Sequence, residues 1–521
     1  MGGSRGERML VGGAGLASLL LFLLVRESLT DDAYITLAYA KNLALHLHWG
    51  LIPQETANTA TSPLEVVVLG ALSAVTRIGG GIHPVAALGV LFVVAGTVTA
   101  WGWTRVMRAL DLPWWTAAVG VALALLNPFL LSAVGLEVIL VPALLVLLLA
   151  MALEGRPAAF GVVAGLMLLT RLDLLVFVVI VGLGTEAIRR RWPRALLVLA
   201  AVAGPWFLAS WLFLGSAIPD TLVIKVDEVG GFGELDYLTG PIDYLRGRPW
   251  DVSLAFAPAL LGLAATVAWL GTRVVAGRDW AARAPWAARL GPVVALGAGA
   301  VAYYAVYCVL SVPPYHWYYI PPVAALSLVA VVVGVAWLRQ PSGAPARWST
   351  AAVVPVAALA ALAIGVLVAD LAQGVPWRSP VIFGNYASAS DYARVGLALR
   401  GRVGAGVTSP GEIGTLAYFC ECPILDKFSD RGEVVELVER DLDYGNPLKR
   451  AALAVNYLWL DRDEKPRRPG YQLIYYRGPE TKPGPSSWTV WSAAWGIGHL
   501  ELTRVPGARQ RAGLVDPQPV Q

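Results

Sequence analysis

Apolar residues lie along this chain in long blocks broken by short polar and arginine-rich segments. A helix rising 1.5 Å per residue needs about 20 apolar residues to cross roughly 30 Å of hydrocarbon. The candidate blocks lie near 8–25, 83–104, 113–131, 135–152, 157–173, 174–188, 194–214, 252–272, 290–311, 317–338 and 350–370, which predicts about eleven transmembrane helices. Thr170-Arg171-Leu172-Asp173 interrupts the apolar run of 157–188, and the topology keeps its parity only if two helices meet there. Between the first two blocks, 30–48 reads as a helix, because Thr30 followed by Asp31 and Asp32 forms an N-cap with an acidic first turn. Asn58-Thr59-Ala60-Thr61-Ser62-Pro63 then breaks the chain. The apolar stretch 64–77 is short and suits an interfacial helix lying along the bilayer.

Residues 1–370 are therefore expected to form a transmembrane domain. Beyond about residue 371 charges, prolines and β-like runs at 404–409, 415–419, 454–460 and 471–476 predict a small α/β domain over 371–500. Its Trp488, Trp491 and Trp495 suit packing or stacking on sugar faces. Residues 501–521, with Pro, Gly and Gln, read as a disordered tail.

Composition agrees with a multi-pass membrane protein: 57% of the 521 residues are hydrophobic and 15% charged, which is not the make-up of an ordinary soluble globule. The net charge of +4 is small, and the arginines sit beside apolar blocks. That argues against a nucleic-acid partner and for topology signals. With the N-terminus in the cytoplasm, Arg5 and Arg8, Arg105 and Arg108, Arg156, Arg189 to Arg191 with Arg194, Arg273, Arg278, Arg283 and Arg289, and Arg339 with Arg347 all fall inside. The N-terminal segment reads as an uncleaved signal anchor in the plasma membrane. The C-terminal domain and the loops at 26–82, 215–251 and 312–316 are then extracytoplasmic. Cys420 and Cys422 are too close to staple a loop of any size, and Cys308 falls in an apolar block, so no disulfide framework is implied.

This topology gathers ionisable residues at one depth, the outer membrane edge: Asp31, Asp32, Lys41, Glu137, Arg171, Asp173, Asp220, Lys225 and His316. Such groups are costly there and usually have a purpose. Adjacent carboxylates point roughly 100° apart on a helix, so Asp31 and Asp32 can divide the tasks of general base and acceptor or cation positioning. They can equally do no more than start the helix. Arg171 with Asp173 can be a structural ion pair, and Lys225 a snorkelling anchor. His316 lies in Tyr315-His316-Trp317-Tyr318-Tyr319 and can donate to a phosphate oxygen. No His-x-x-x-His or Cys-x-x-Cys metal motif appears, although the Asp pair has oxygens for a divalent cation. Gly-rich phosphate loops and dinucleotide fingerprints in a strand–turn–helix context are also lacking, which argues against nucleotide chemistry.

Asp31-Asp32-Ala33-Tyr34-Ile35-Thr36 with Tyr39, Thr61-Ser62-Pro63-Leu64, Gly135-Leu136-Glu137, Arg171-Leu172-Asp173, Pro219-Asp220-Thr221 with Lys225, and Gly411-Glu412-Ile413-Gly414 leading to Leu425-Asp426 follow one another along most of the chain. In this order they resemble the membrane glycosyltransferases of the C superfamily (GT-C), which use polyprenyl-phosphate-linked sugars. The pattern is most similar to the bacterial terminal arabinofuranosyltransferase group. Departures from it are Leu172 in place of a proline, Asp220 in place of an asparagine and Glu65 in place of an aromatic residue. The resemblance implies a GT-C fold and transfer of a glycosyl unit to a cell-envelope glycan or lipid on the outer face. It assigns the general base to Asp31, with Asp32 positioning acceptor or cation. Lys225, Arg171 and His316 are the candidates for the donor phosphate, and Tyr34, Lys41, Glu137, Asp173 and Asp220 for other substrate contacts. Mannosyl or aminoarabinosyl transfer is the neighbouring alternative, and a lipid-carrier flippase or transporter the alternative of another class. Charges gathered at outer ends and the lack of internal symmetry speak against the flippase.

Overall fold

The computed structural model describes residues 5–77, 80–227, 236–277, 285–338, 363–372, 374–382, 384–479 and 484–506. The predicted stretch 350–362, Arg278, Arg283, Arg339, Arg347 and residues 507–521 lie outside the described residues. Helix α1 (Arg5–Val25) leads into α2 (Asp31–His46) and α3 (Pro63–Val75). The bundle continues with α4 (Pro84–Ala109), α5 (Trp114–Leu125), α6 (Val141–Leu153), α7 (Pro157–Thr170), α8 (Leu175–Gly184) and α9 (Trp192–Ala209). After α10 (Thr221–Asp227) come α11 (Pro249–Ala276), α12 (Gly291–Val309) and α13 (Ile320–Leu338), then α14 (Ala363–Ala372).

Among the described residues six helices are long and apolar enough to cross a membrane: α1, α4, α9 with its continuation to Leu214, α11, α12 and α13 with the turn before it. Five of the six shorter apolar helices fall on the remaining predicted spans, and the sixth is α3. Its 13 residues are the short apolar stretch 64–77 that the sequence sets apart from the spans as an interfacial helix. The interruption at 170–173 is a true junction, because α7 ends at Thr170 and Arg171 is extended (φ −157°, ψ 129°). Ion pairs Arg108–Glu7, Arg105–Glu154 and Arg289–Asp111 join the ends of α1, α4, α6 and α12. The arginine-rich ends of these helices thus meet on one side of the bundle.

The chain beyond α14 forms α15 (Ala389–Leu399), α16 (Gly414–Cys420), α17 (Arg431–Tyr444) and α18 (Pro447–Asn456) with a four-stranded sheet. The strands β1 (Val407–Thr408), β2 (Tyr471–Arg477), β3 (Ser487–Ser492) and β4 (Gly496–Arg504) lie in the order β1-β2-β4-β3, with only the β1–β2 pair parallel. Two of the β-like runs are strands, at 404–409 and 471–476. The run at 415–419 is instead the helix α16, and 454–460 completes α18 and the turn after it. Tertiary capping explains the first and the Asn446-Pro447 helix start the second: Asn446 Oδ1 accepts from the Lys449 amide at 2.9 Å. Glu501 to Arg504, read from the sequence as part of a disordered tail, belong instead to β4. Cys420 and Cys422, given no stapling role by their spacing, are joined by a disulfide at the end of α16.

One apolar core runs through the helical bundle, and a second binds α2 to the C-terminal domain. Tyr39, Trp49 and Leu51 share this second core with Tyr392, Val395, Leu416 and Leu473. Approach is closest at Gly414, where an added Cβ would stand 2.1 Å from the Asp31 carbonyl oxygen. Glycine is required there for backbones to meet.

Candidate active site

An open cleft of about 610 Å³ lies where α2, the 59–61 segment, α10, the C-terminal domain and the turns before α6, α8 and α13 converge. Asp32, Glu137, Arg171 and Lys225 line it. The structure therefore brings together four of the ten residues that the sequence singles out. Beside them stand the hydroxyls of Thr36, Thr59, Thr61 and Thr221, with Trp317, Tyr318 and Phe428 as the aromatic part of the wall. Sequence reasoning passed over these seven. Thr36, Thr59, Thr61 and Thr221 stand in stretches already quoted, and Trp317 and Tyr318 in the densest aromatic stretch; Phe428 carries no local signal.

The two adjacent aspartates face different ways, as helical geometry requires. Asp31 is buried, and its two carboxylate oxygens accept the amides of Gly414 and Thr415, each at 2.8 Å. It therefore caps α16, supplying negative charge at a helix N-terminus. Burial raises its pKa and the backbone donors oppose that rise. Asp32, half-buried, lines the cleft. The two carboxylates are placed differently: Asp31 joins two parts of the chain, and Asp32 is the one that lines the cleft. The two carboxylates face different ways, Asp31 toward Gly414 and Thr415 and Asp32 toward the cleft, so they do not offer a divalent ion a shared seat. Among the described residues no three His, Cys, Asp or Glu side chains cluster as metal ligands.

Asn385 and Glu412 extend the joint. Asn385 Oδ1 accepts from the Thr30 hydroxyl at 3.2 Å and the Asp31 amide at 3.3 Å. Glu412 accepts from the Tyr386 amide at 3.0 Å and the Tyr392 hydroxyl at 2.5 Å. Burial, with the Asp31 charge adding to it, pushes the Glu412 carboxyl up to about 7. The protonated form is favoured in the folded state, so its contribution is complete below the ordinary carboxyl value and is lost as pH rises through about 7. The thermal midpoint of the purified protein is expected to fall between about pH 5 and about pH 8, and Glu412→Gln to flatten that fall. An unchanged pH profile in the variant would contradict this assignment.

Arg171 is buried and saturated with partners. It donates to Glu137 at 2.5 Å, to both Asp173 oxygens at 3.1 Å through Nε and to Tyr307 at 3.0 Å. Asp173 also accepts from the hydroxyls of Tyr303, at 2.9 Å, and Tyr307. The ion-pair reading thus holds for Arg171 and Asp173, and Arg171 also reaches the cleft wall. Lys225 is held differently, by aromatic rings: its Nζ lies 4.5 Å from the Tyr315 centroid, 5.4 Å from that of Phe428 and 3.4 Å from the Tyr315 hydroxyl. The ring faces and the Tyr315 hydroxyl hold this ammonium at the cleft wall.

The remaining predicted contacts do not line the cleft. His316 is buried against Phe129 and Trp317, with ring centroids 6.1 and 5.0 Å away; the turn that presents Trp317 and Tyr318 turns the imidazole away. Tyr34 packs edge-on against Tyr418 at 5.4 Å. Lys41 pairs with Glu421 and donates to the Tyr418 carbonyl at 2.9 Å, tying α2 to α16. Asp220 accepts from Ser216 at 2.8 Å, its amide donates to the Asn58 carbonyl at 2.8 Å, and burial pushes its carboxyl up to about 6. It shapes the wall from behind. The neighbouring Thr221 donates to the Thr59 carbonyl, and Thr59 to the Phe428 carbonyl at 2.7 Å, which locks the 59–61 segment between α10 and the C-terminal domain.

No protein-family model matches the chain, and no curated protein does. Among solved structures it is similar to ArnT from Cupriavidus metallidurans, whose crystal structure is bound to undecaprenyl phosphate. The superposition has a TM-score of 0.50 at 16% identity and covers 99% of this chain and 100% of that one. This chain therefore has the GT-C-type fold implied by its motifs: a multi-pass helical membrane domain followed by a small domain built on a four-stranded sheet.

Proposed function

We propose that this protein transfers a glycosyl unit, with arabinofuranose as the sugar, from a polyprenyl-phosphate donor to a cell-envelope glycan on the outer face of the membrane. The observation that carries the reading is the single cleft that puts the Asp32 carboxylate with the Lys225 ammonium and the Arg171 guanidinium at the edge of the helical bundle. Asp32 takes the proton of the acceptor hydroxyl. The hydroxyl oxygen bonds to the anomeric carbon as the bond from that carbon to the phosphate oxygen breaks, and polyprenyl phosphate departs with the electron pair. A phosphate leaving group needs no proton, only cations that stabilise its growing charge. Lys225 serves this directly, and Arg171 holds Glu137 and the cleft wall.

The likeness to ArnT supports a lipid-phosphate donor, since that protein was crystallised with undecaprenyl phosphate. A crevice between α4, α5, α6 and α13, lined by Trp103, Leu123, Leu145 and Val323, offers apolar surface of the kind an isoprenoid tail needs. The Cys420–Cys422 bond fits an oxidising, extracytoplasmic compartment. It agrees with the arginine-rich helix ends lying on the cytoplasmic side.

The donor assignment is tested with purified protein in lipid nanodiscs and radiolabelled polyprenyl phosphates bearing arabinofuranose, mannose or aminoarabinose. The arabinofuranosyl donor is expected to label the glycan. Lys225→Gln is expected to weaken donor binding roughly 10- to 100-fold, the worth of one charge-assisted contact. Equal donor affinity in the variant would remove Lys225 from the phosphate site, and transfer from the mannosyl or aminoarabinosyl donor alone would replace the sugar.

A further inference from the structure

The C-terminal domain carries an amphipathic helix mounted the wrong way round for a soluble protein. Leu448, Ala452 and Val455 of α18, with Trp459 just after it, follow spacings of four, three and four and share one face. That face is turned outward: Leu448 is 81%, Val455 64%, Leu458 59% and Trp459 55% exposed. The opposite face is partly covered, with Leu453 against the cluster of Val434, Val435, Val438 and Tyr457, and Lys449 paired with Asp441 at 2.8 Å. Contiguous apolar stripes of this kind mark a surface that meets another apolar phase.

The surroundings say which phase. The Trp211 indole donates to the Val455 carbonyl at 2.9 Å, and its ring meets Trp459 edge-on at 6.4 Å. Asn456 exchanges hydrogen bonds of 2.8 and 3.3 Å with the backbone of Ile218. These bonds hold α18 against the last turn of the span that begins with α9. The outer surface of that span, with Leu208, Leu212 and Phe213 at 56%, 45% and 80% exposed, faces lipid. The apolar stripe of α18 is therefore continuous with a lipid-facing surface, at the level where tryptophan rings gather in membrane proteins. Arg450, exposed beside the stripe, can pair with a lipid phosphate.

We propose that α18 and Trp459 form an in-plane membrane anchor, which seats the C-terminal domain in the headgroup layer of the leaflet it faces. The anchor acts on the cleft through packing. Val223 and Ile224 of α10 share the cluster beneath α18, and Lys225 follows them in the same helix. Lipid contact thereby fixes the height of one cleft wall above the bilayer. This inference stands on the exposed stripe and its attachment to a span, and does not depend on the transferred group.

The test uses the full chain in liposomes, in a Cys308→Ser background, with a spin label on Val455→Cys and, separately, on Leu448→Cys. Both positions are exposed, so the label displaces no packing. Collision with dissolved oxygen is expected to exceed collision with a water-soluble nickel chelate severalfold at both sites. The reverse ratio at both sites would overturn the anchor. So would spectral broadening that disappears on dilution with unlabelled protein, because a second copy of the chain would then be covering the stripe.

Discussion

Asp32→Asn is expected to abolish measurable sugar transfer, lowering the rate by about 10²- to 10⁴-fold, the usual contribution of a positioned general base. The amide keeps the size of the side chain, so the cleft and donor affinity should persist. Asp31→Asn tests the contrast. Its carboxylate is occupied by two backbone amides, and one amide oxygen can replace only part of that cap. Loss of a helix cap costs about 1 kcal/mol, so this variant should lose stability while retaining most of its turnover. If Asp31→Asn were inactive and fully stable while Asp32→Asn remained active, the assignment of the two carboxylates would be reversed.

Arg171→Leu should be the most destabilising single change among the cleft residues. It leaves Glu137 and Asp173 as buried carboxylates, 5% and 19% exposed, without their shared cation. Breaking a buried charge network from one side typically costs about 3–5 kcal/mol. The thermal midpoint in detergent should fall sharply, and Glu137→Gln added to Arg171→Leu should recover part of the loss by removing one orphaned charge. A residue that served only the donor phosphate would behave otherwise: the midpoint would be unchanged, with weaker donor binding as the sole defect.

Much of this arrangement can be read in the sequence, for identifiable reasons. The spans follow from composition alone, because a hydrocarbon slab imposes a minimum length of apolar chain. Helix α2 is announced by Thr30-Asp31-Asp32, and the α7–α8 junction by the charges of Arg171 and Asp173 within an apolar run. Local pattern could not decide which aspartate faces the cleft. That is settled by Gly414 and Thr415, 383 and 384 residues away along the chain. The same long-range contact turns 415–419, which looks strand-like, into a helix whose N-terminus Asp31 caps. His316 misled for a related reason. Its sequence neighbours Trp317 and Tyr318 do line the cleft, but a tight turn sends successive side chains in different directions.

The fold likeness to ArnT and the cleft bear on different questions. The likeness gives the architecture, in which a bundle of spans carries a small domain over one end. The chemistry rests on which side chains meet in the cleft. Asp32 and Lys225 come from α2 and α10, which are held together by the 57–61 segment and the C-terminal domain. That shared support makes one wall of the cleft sensitive to how the C-terminal domain is seated.

The central claim is a chemical step at Asp32, and it is tested most directly by a transfer assay. Wild-type protein and Asp32→Asn would be placed in liposomes with a radiolabelled polyprenyl-phosphate sugar and an envelope glycan acceptor. Label in the glycan and donor affinity are then measured on the same samples. The expected result is labelled glycan with wild-type protein and none above background with Asp32→Asn, at equal donor affinity. Transfer by Asp32→Asn at the wild-type rate would contradict the account, as would wild-type protein that carries the intact donor across the bilayer without labelling the glycan.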